Sequence, residues 1–234
     1  MVAMAAAVHA FADRIWAEAR TSPIASSTIV ACKAGCGWCC HQQVAIAPAE
    51  AMVIANHLEL CFDEPQRTAW AQRVAALDAV TRGLTAIERG RLKQPCAFLV
   101  DDHCAIYAAR PLRCRGVYSQ DGTYCRWAMD NSDDAAAARR ERNGPGPFVV
   151  APSKIMDAAL TGLARASRDL GIDAESLELT AAVHLALTVP DLEHRMLAGE
   201  PAFAAAALPS RPESPWNGRH GPRPVGLASC PPKT

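Results

Sequence analysis

Residues 32–40 read CKAGCGWCC and place Cys32, Cys36, Cys39 and Cys40 within nine positions. A packed core has no use for thiols at that density. Nor does a chain of 234 residues, half of them apolar, need disulfides to bury a sufficient core. The four thiols therefore point to metal or redox chemistry.

Working outward, the flanking sequence is mostly helical in pattern. MVAMAAAVHAFADRIWAEAR, at the N-terminus, reads as an alanine-rich helix with Phe11, Ile15 and Trp16 near one stripe. The stretch TSPIASSTIVA, turn-rich with a short β-prone piece, leads into the cluster. Pro48 marks a helix start, with Ala51, Ile54, Ala55, Leu58 and Phe62 at helical spacing. Asp63 and Pro65 punctuate before a longer helix with a stripe of Trp70, Val74, Leu77, Leu84 and Ile87. An antiparallel pair of this kind would return the chain near residue 96 to the neighbourhood of residue 40.

Between 94 and 127 the β-prone runs AFLV and CAIY flank Asp101 and Asp102, which predicts a small hairpin followed by an irregular, arginine-rich segment. Residues 131–147 read as an exposed helix or loop. Two further helices are expected, over about 152–170 ending at Gly171 and over about 174–188 with Asp173 as its cap. The expected fold class is mainly α, with a short hairpin and a cysteine-rich segment forming a metal site. Residues 1–206 are read as a single metal-binding domain, and 207–234, rich in proline and glycine, as a disordered tail.

Within 94–127, Cys96, Cys104, Cys114 and Cys125 recur at intervals of eight, ten and eleven. With Cys32, Cys36, Cys39 and Cys40 they make eight candidate metal ligands in two clusters. Thiolate sulfur suits zinc, Cu(I) and iron–sulfur centres, and short irregular loops let several sulfurs converge. Gly35 and Gly37 fit such loops, whose turns often need backbone angles that glycine adopts most cheaply. Adjacent Cys39 and Cys40 diverge in most backbone conformations, so the two could serve different metals, or one could stand behind the other's site. Arg110, Arg113 and Arg115 surround Cys114, and Arg126 follows Cys125. Of these, Arg110 and Arg115 are the candidates to stand behind the ligands, offsetting a site charge of about −2 and donating hydrogen bonds to sulfur.

Composition narrows the function classes. Lysine plus arginine equals aspartate plus glutamate at 24 each, so there is no basic surplus for nucleic acid. No window approaches the roughly 20 apolar residues of a membrane span, and no signal peptide is evident. The expected location is the cytoplasm. No Ser/His/Asp arrangement, P-loop or GxGxxG pattern is present. Cys61 is read as a small core residue and Cys230 as part of the tail; His41 and His103 adjoin cluster cysteines, and His184 is read as packed. Trp38 and Tyr107 are expected to shield the site or fill the core around it, and Glu50 to favour its helix through the dipole.

CKAGCGWCC followed by PCAFLVDDHCAIYAARPLRCRG resembles the bacterial cysteine-cluster family called CxxCxxCC or YkgJ-like, a zinc- or iron-chelating domain. The likeness runs over about 30–127 and is most specific where Cys96 leads an apolar run, Cys104 leads into Ile106-Tyr107, and Arg110-Pro111 leads into Cys114-Arg115. Here the first interval is C-x3-C, one residue longer than the family's name implies. The resemblance implies zinc or iron, including a [4Fe–4S] cluster, as the metal partner. It leaves the reaction and any protein partner open. Flagellin lysine N-methylases carry a similar cysteine domain, so a protein-modifying activity is one alternative. The spacing of Cys32, Cys36 and Cys39 also matches the radical S-adenosylmethionine cluster, but the chain lacks the alternating strands and helices of its barrel. A third reading is a zinc-stapled protein-interaction module.

Overall fold

The computed structural model describes residues 1–141 and 146–208 and is mostly helical. Helix α1 (Val2–Ala19) buries Ala5, His9, Ala12 and Trp16, a stripe spaced by three and four residues. Phe11, expected on that stripe, is 54% exposed, because the buried face is set by the alanines that allow close approach. A single turn, α2 (Pro23–Ser26), follows, and residues 27–31 form no strand.

Helix α3 (Pro48–Cys61) starts at Pro48, whose missing N–H costs nothing there. Asp63 begins α4 (Glu64–Thr81) by accepting from Gln66 N while the Gln66 side chain returns to Asp63 N. The predicted longer helix is interrupted. Gly83 takes φ +77°, and Thr85 and Glu88 cap a separate α5 (Ala86–Arg91), so Leu84 and Ile87 fall outside α4's stripe. The hairpin is present but short: β2 (Leu99–Val100) pairs antiparallel with β3 (His103–Cys104), and Asp101 and Asp102 both take positive φ in the two-residue turn.

Three helices follow: α6 (Leu112–Arg115), α7 (Gly122–Asp130), capped by Asp121, and α8 (Ser132–Glu141). Then α9 (Val150–Asp169) ends before Gly171 at φ +72°, as the sequence predicts. The next helix starts later than expected. Leu177–Glu178 (β4) pairs with Ala45–Ile46 (β1), so α10 (Leu179–Thr188) is capped by Glu178, while Asp173 accepts from Glu175 N in a preceding turn. The short helix α11 (Leu192–Leu197) completes the set.

Helix α10 is apolar around most of its surface because it packs against both α3 and α4. Helix α3 also packs on α1, and α1 on α9, which contacts α6. The main core includes Ile54, Leu58, Val74, Leu177, Val183, Met196 and Phe203. Full burial of each large aliphatic side chain contributes about 2 kcal/mol. A smaller core of Ala12, Trp16, Leu112 and Met156 lies between α1, α6 and α9. Among the described residues no helix is long and apolar enough to cross a membrane. The expected tail, apart from residues 207 and 208, lies outside the described residues.

Candidate metal centre

The helical elements bring the two cysteine segments together. A 3-10 turn, Trp38–His41, carries Cys39 and Cys40, and Cys96 N donates to Cys40 O at 2.7 Å. Arg89, only 2% exposed, clamps the same junction: one guanidinium nitrogen donates to His41 O at 3.2 Å and to Gln94 O at 2.8 Å. Burial lowers the pKa of Arg89, with Glu178 and Cys96 acting in the opposite sense.

Cys32, Cys36, Cys39 and Cys125 form one neighbourhood, close enough for their charges to interact. Cys32 Sγ accepts from Ser119 N at 3.2 Å, and the Ser119 hydroxyl, which donates to Asp121 O at 3.0 Å, acts to lower the Cys125 pKa. Helix α7, which carries Cys125, packs against the 38–41 turn, with Arg126 stacked 5.7 Å from the Trp38 ring centroid. Cys96, Cys104 and Cys114 form the second neighbourhood, also within charge reach of one another. Cys39 lies within charge reach of members of both groups, and Cys40 follows it on the same turn.

Burial is the leading cause of raised pKa at Cys32, Cys104 and Cys125; it pushes Cys96 up to about 11 and Cys114 well up. For Cys39 the hydrogen bond with Cys40 comes first. Without a cation these thiols hold their protons, since removing several would place like charges side by side in a partly dry pocket. Among the described residues, no three histidine, cysteine, aspartate or glutamate side chains already stand as a formed metal-holding group. A bound metal would therefore draw the sulfurs inward. The donor set fits a soft or borderline metal, being all sulfur and, apart from the exposed Cys39, partly buried.

The arginines divide by role. Arg110 lies near Cys39 and Cys104 and opposes the rise of their pKa values; it stacks 4.0 Å from the Tyr107 ring centroid, and its Nε is buried without a hydrogen-bond partner. Arg115 turns away from sulfur. It donates to Arg110 O and Ala108 O and pairs with Asp13, so it holds the loop on which Arg110 sits. Arg113 pairs with Asp157.

Several other residues depart from their expected places. Cys61 is exposed and in contact with His57 Nδ1 at 3.4 Å instead of lying in the core, because α3 buries its opposite face. His103 is exposed and its Nδ1 bonds Asp101 O at 2.6 Å. His41 Nδ1 is buried with no hydrogen-bond partner. His184 is half-buried and bonds Asp78, which also pairs with Arg82. Tyr107 is 60% exposed, so its shielding is confined to the ring face under Arg110. Gly35 takes φ +76° as expected, but Gly37 takes φ −103°; its requirement is space, since an added Cβ would meet Asp102 Oδ1 at 2.8 Å.

Sequence reasoning missed Ser119 and Arg89 as organisers of the site and underrated Glu50. The Pro48 and Glu50 pattern carries the signal for one contact, Ala47 N to Glu50 Oε2 at 2.9 Å. Its bonds to His9 and Leu112 are long-range and leave no local trace.

No curated protein and no solved structure matches the chain. Residues 31–133, which hold all eight clustered cysteines, match the family model CxxCxxCC, described as "Putative zinc- or iron-chelating domain".

Proposed function

We propose that this protein binds zinc or iron through Cys32, Cys36, Cys39, Cys40, Cys96, Cys104, Cys114 and Cys125, and that residues 1–206 act as one metal-binding domain. The observation that carries this reading is that Cys32 and Cys125 from one segment pair and Cys104 and Cys114 from another lie within charge reach of Cys39, at the junction where Cys96 N bonds Cys40 O. Arg110 supplies positive charge beside the sulfurs, and Arg115 keeps its loop in place. When bound, zinc would brace these loops as a closed tetrahedral centre, whereas an iron–sulfur cluster would add electron transfer. The radical S-adenosylmethionine alternative gains no support, since the described strands form two antiparallel pairs and no parallel sheet.

The test is metal and sulfide analysis, with an absorption spectrum, of protein purified without oxygen. Stoichiometric zinc or iron is the expected result. Cys36→Ser and Cys114→Ser should each lower bound metal and the melting temperature together, because site formation and folding are coupled. Full metal retention in both variants defeats the assignment.

A further inference from the structure

We propose that the eight thiols make two separate metal sites, one built on Cys32, Cys36 and Cys125 and the other on Cys96, Cys104 and Cys114, each completed by one thiol of the Cys39-Cys40 pair. The inference rests on the chelating reading above and adds the stoichiometry and the division of ligands.

Different elements build the two sets. The first is organised by Ser119, whose backbone N–H bonds Cys32 Sγ and whose hydroxyl donates to Asp121 O at the cap of the helix that carries Cys125, and by the packing of α7 on the 38–41 turn. Ser119 is 2% exposed and also joins residue 31 to the segment at 147, through Ala31 N to Ser119 O at 2.8 Å and Ser119 Oγ to Pro147 O at 3.3 Å. The second set hangs on the β2–β3 hairpin, where Cys104 faces Leu99, and on α6 with Cys114. The Leu112 amide at the start of α6 is held by Glu50 Oε1 at 2.8 Å.

Cys39 lies within charge reach of Cys32 and Cys125 on one side and of Cys104 and Cys114 on the other, and Cys40 follows it on the same 3-10 turn. The backbone beneath Cys40 is tied to the second set through Cys96 N. A tetrahedral centre takes four sulfurs, so three thiols on each side plus one from the pair satisfy two centres with none left over. Positive charge is available to both: Arg110 beside Cys104 and Arg126 stacked on Trp38 next to Cys39.

The experiment loads the full chain, stripped of metal without oxygen, with cadmium-113 as the probe for nuclear magnetic resonance. Two bound equivalents and signals from two all-sulfur environments are expected. Cys125→Ser should remove or shift one signal, Cys114→Ser the other, and Cys39→Ser should disturb both. Circular dichroism establishes that each variant is folded. Ser119→Ala keeps every thiol and should move only the signal that Cys125→Ser affects.

A single bound equivalent, or loss of both signals equally in the Cys125 and Cys114 variants, overturns the division and leaves chelation standing. So does native protein that holds one iron–sulfur cluster and leaves four of the eight thiols open to alkylation. Protein that takes up no zinc, iron or cadmium overturns the chelating reading itself.

Discussion

Glu50 shows how much one side chain holds together. It has no solvent exposure, and its two oxygens meet His9 Nε2 at 3.0 Å, Leu112 N at 2.8 Å and Ala47 N at 2.9 Å. One carboxylate thereby links α1, the start of α3 and the turn that presents Cys114. Glu50→Ala leaves three buried donors without acceptors and should cost about 3–5 kcal/mol in a denaturant titration. Gly37 acts by being small. A side chain there pushes on Leu99 at 3.1 Å and on Asp102, in the hairpin that carries Cys104. Overpacking of about 1–3 kcal/mol is expected for Gly37→Val. In a chelator competition it should appear as metal affinity weaker by roughly five- to a hundredfold. At this scale the cysteines, Gly35 and the flanking arginines were legible as chemistry. The directions in which Arg110 and Arg115 point were not, because both look alike in a run of basic residues.

Among the elements, those with local stop and start signals were readable. Pro48, Asp63 and Gly171 sit where helices begin or end, and Asp101-Asp102 turns the hairpin. The misplaced start of α10 has a non-local cause: residues 177 and 178 are taken up by pairing with 45 and 46 across the molecule. That pairing buries Glu178, and burial raises its pKa despite bonds from Ala181 and Thr180 and the nearby Arg89. A raised carboxylate pKa means the fold disfavours the ionised form. Below the ordinary carboxylate range there is no penalty; it develops as pH rises through that range and is complete above the folded-state value. The stability of Glu178→Gln relative to the parent chain should therefore increase as pH rises through and above the ordinary carboxylate range, as read by paired thermal melts.

For the whole molecule, the predicted return of residue 96 to residue 40 holds, but the agent that secures it was invisible in the sequence. Helix α10, from far down the chain, packs on both α3 and α4, and Arg89 joins the two loops from within. An arginine in a polar helix reads as solvated until the fold buries it. That excursion between Cys40 and Cys96 also has a polymer-physics consequence. Bringing both ends to one metal in the open chain would cost about 4 kcal/mol of loop entropy in the chain-entropy model, a cost the docked helices have already met. The same length slows first encounter of the ends. The helices would thus form and dock before the ion is captured, and metal would lock an arrangement already made.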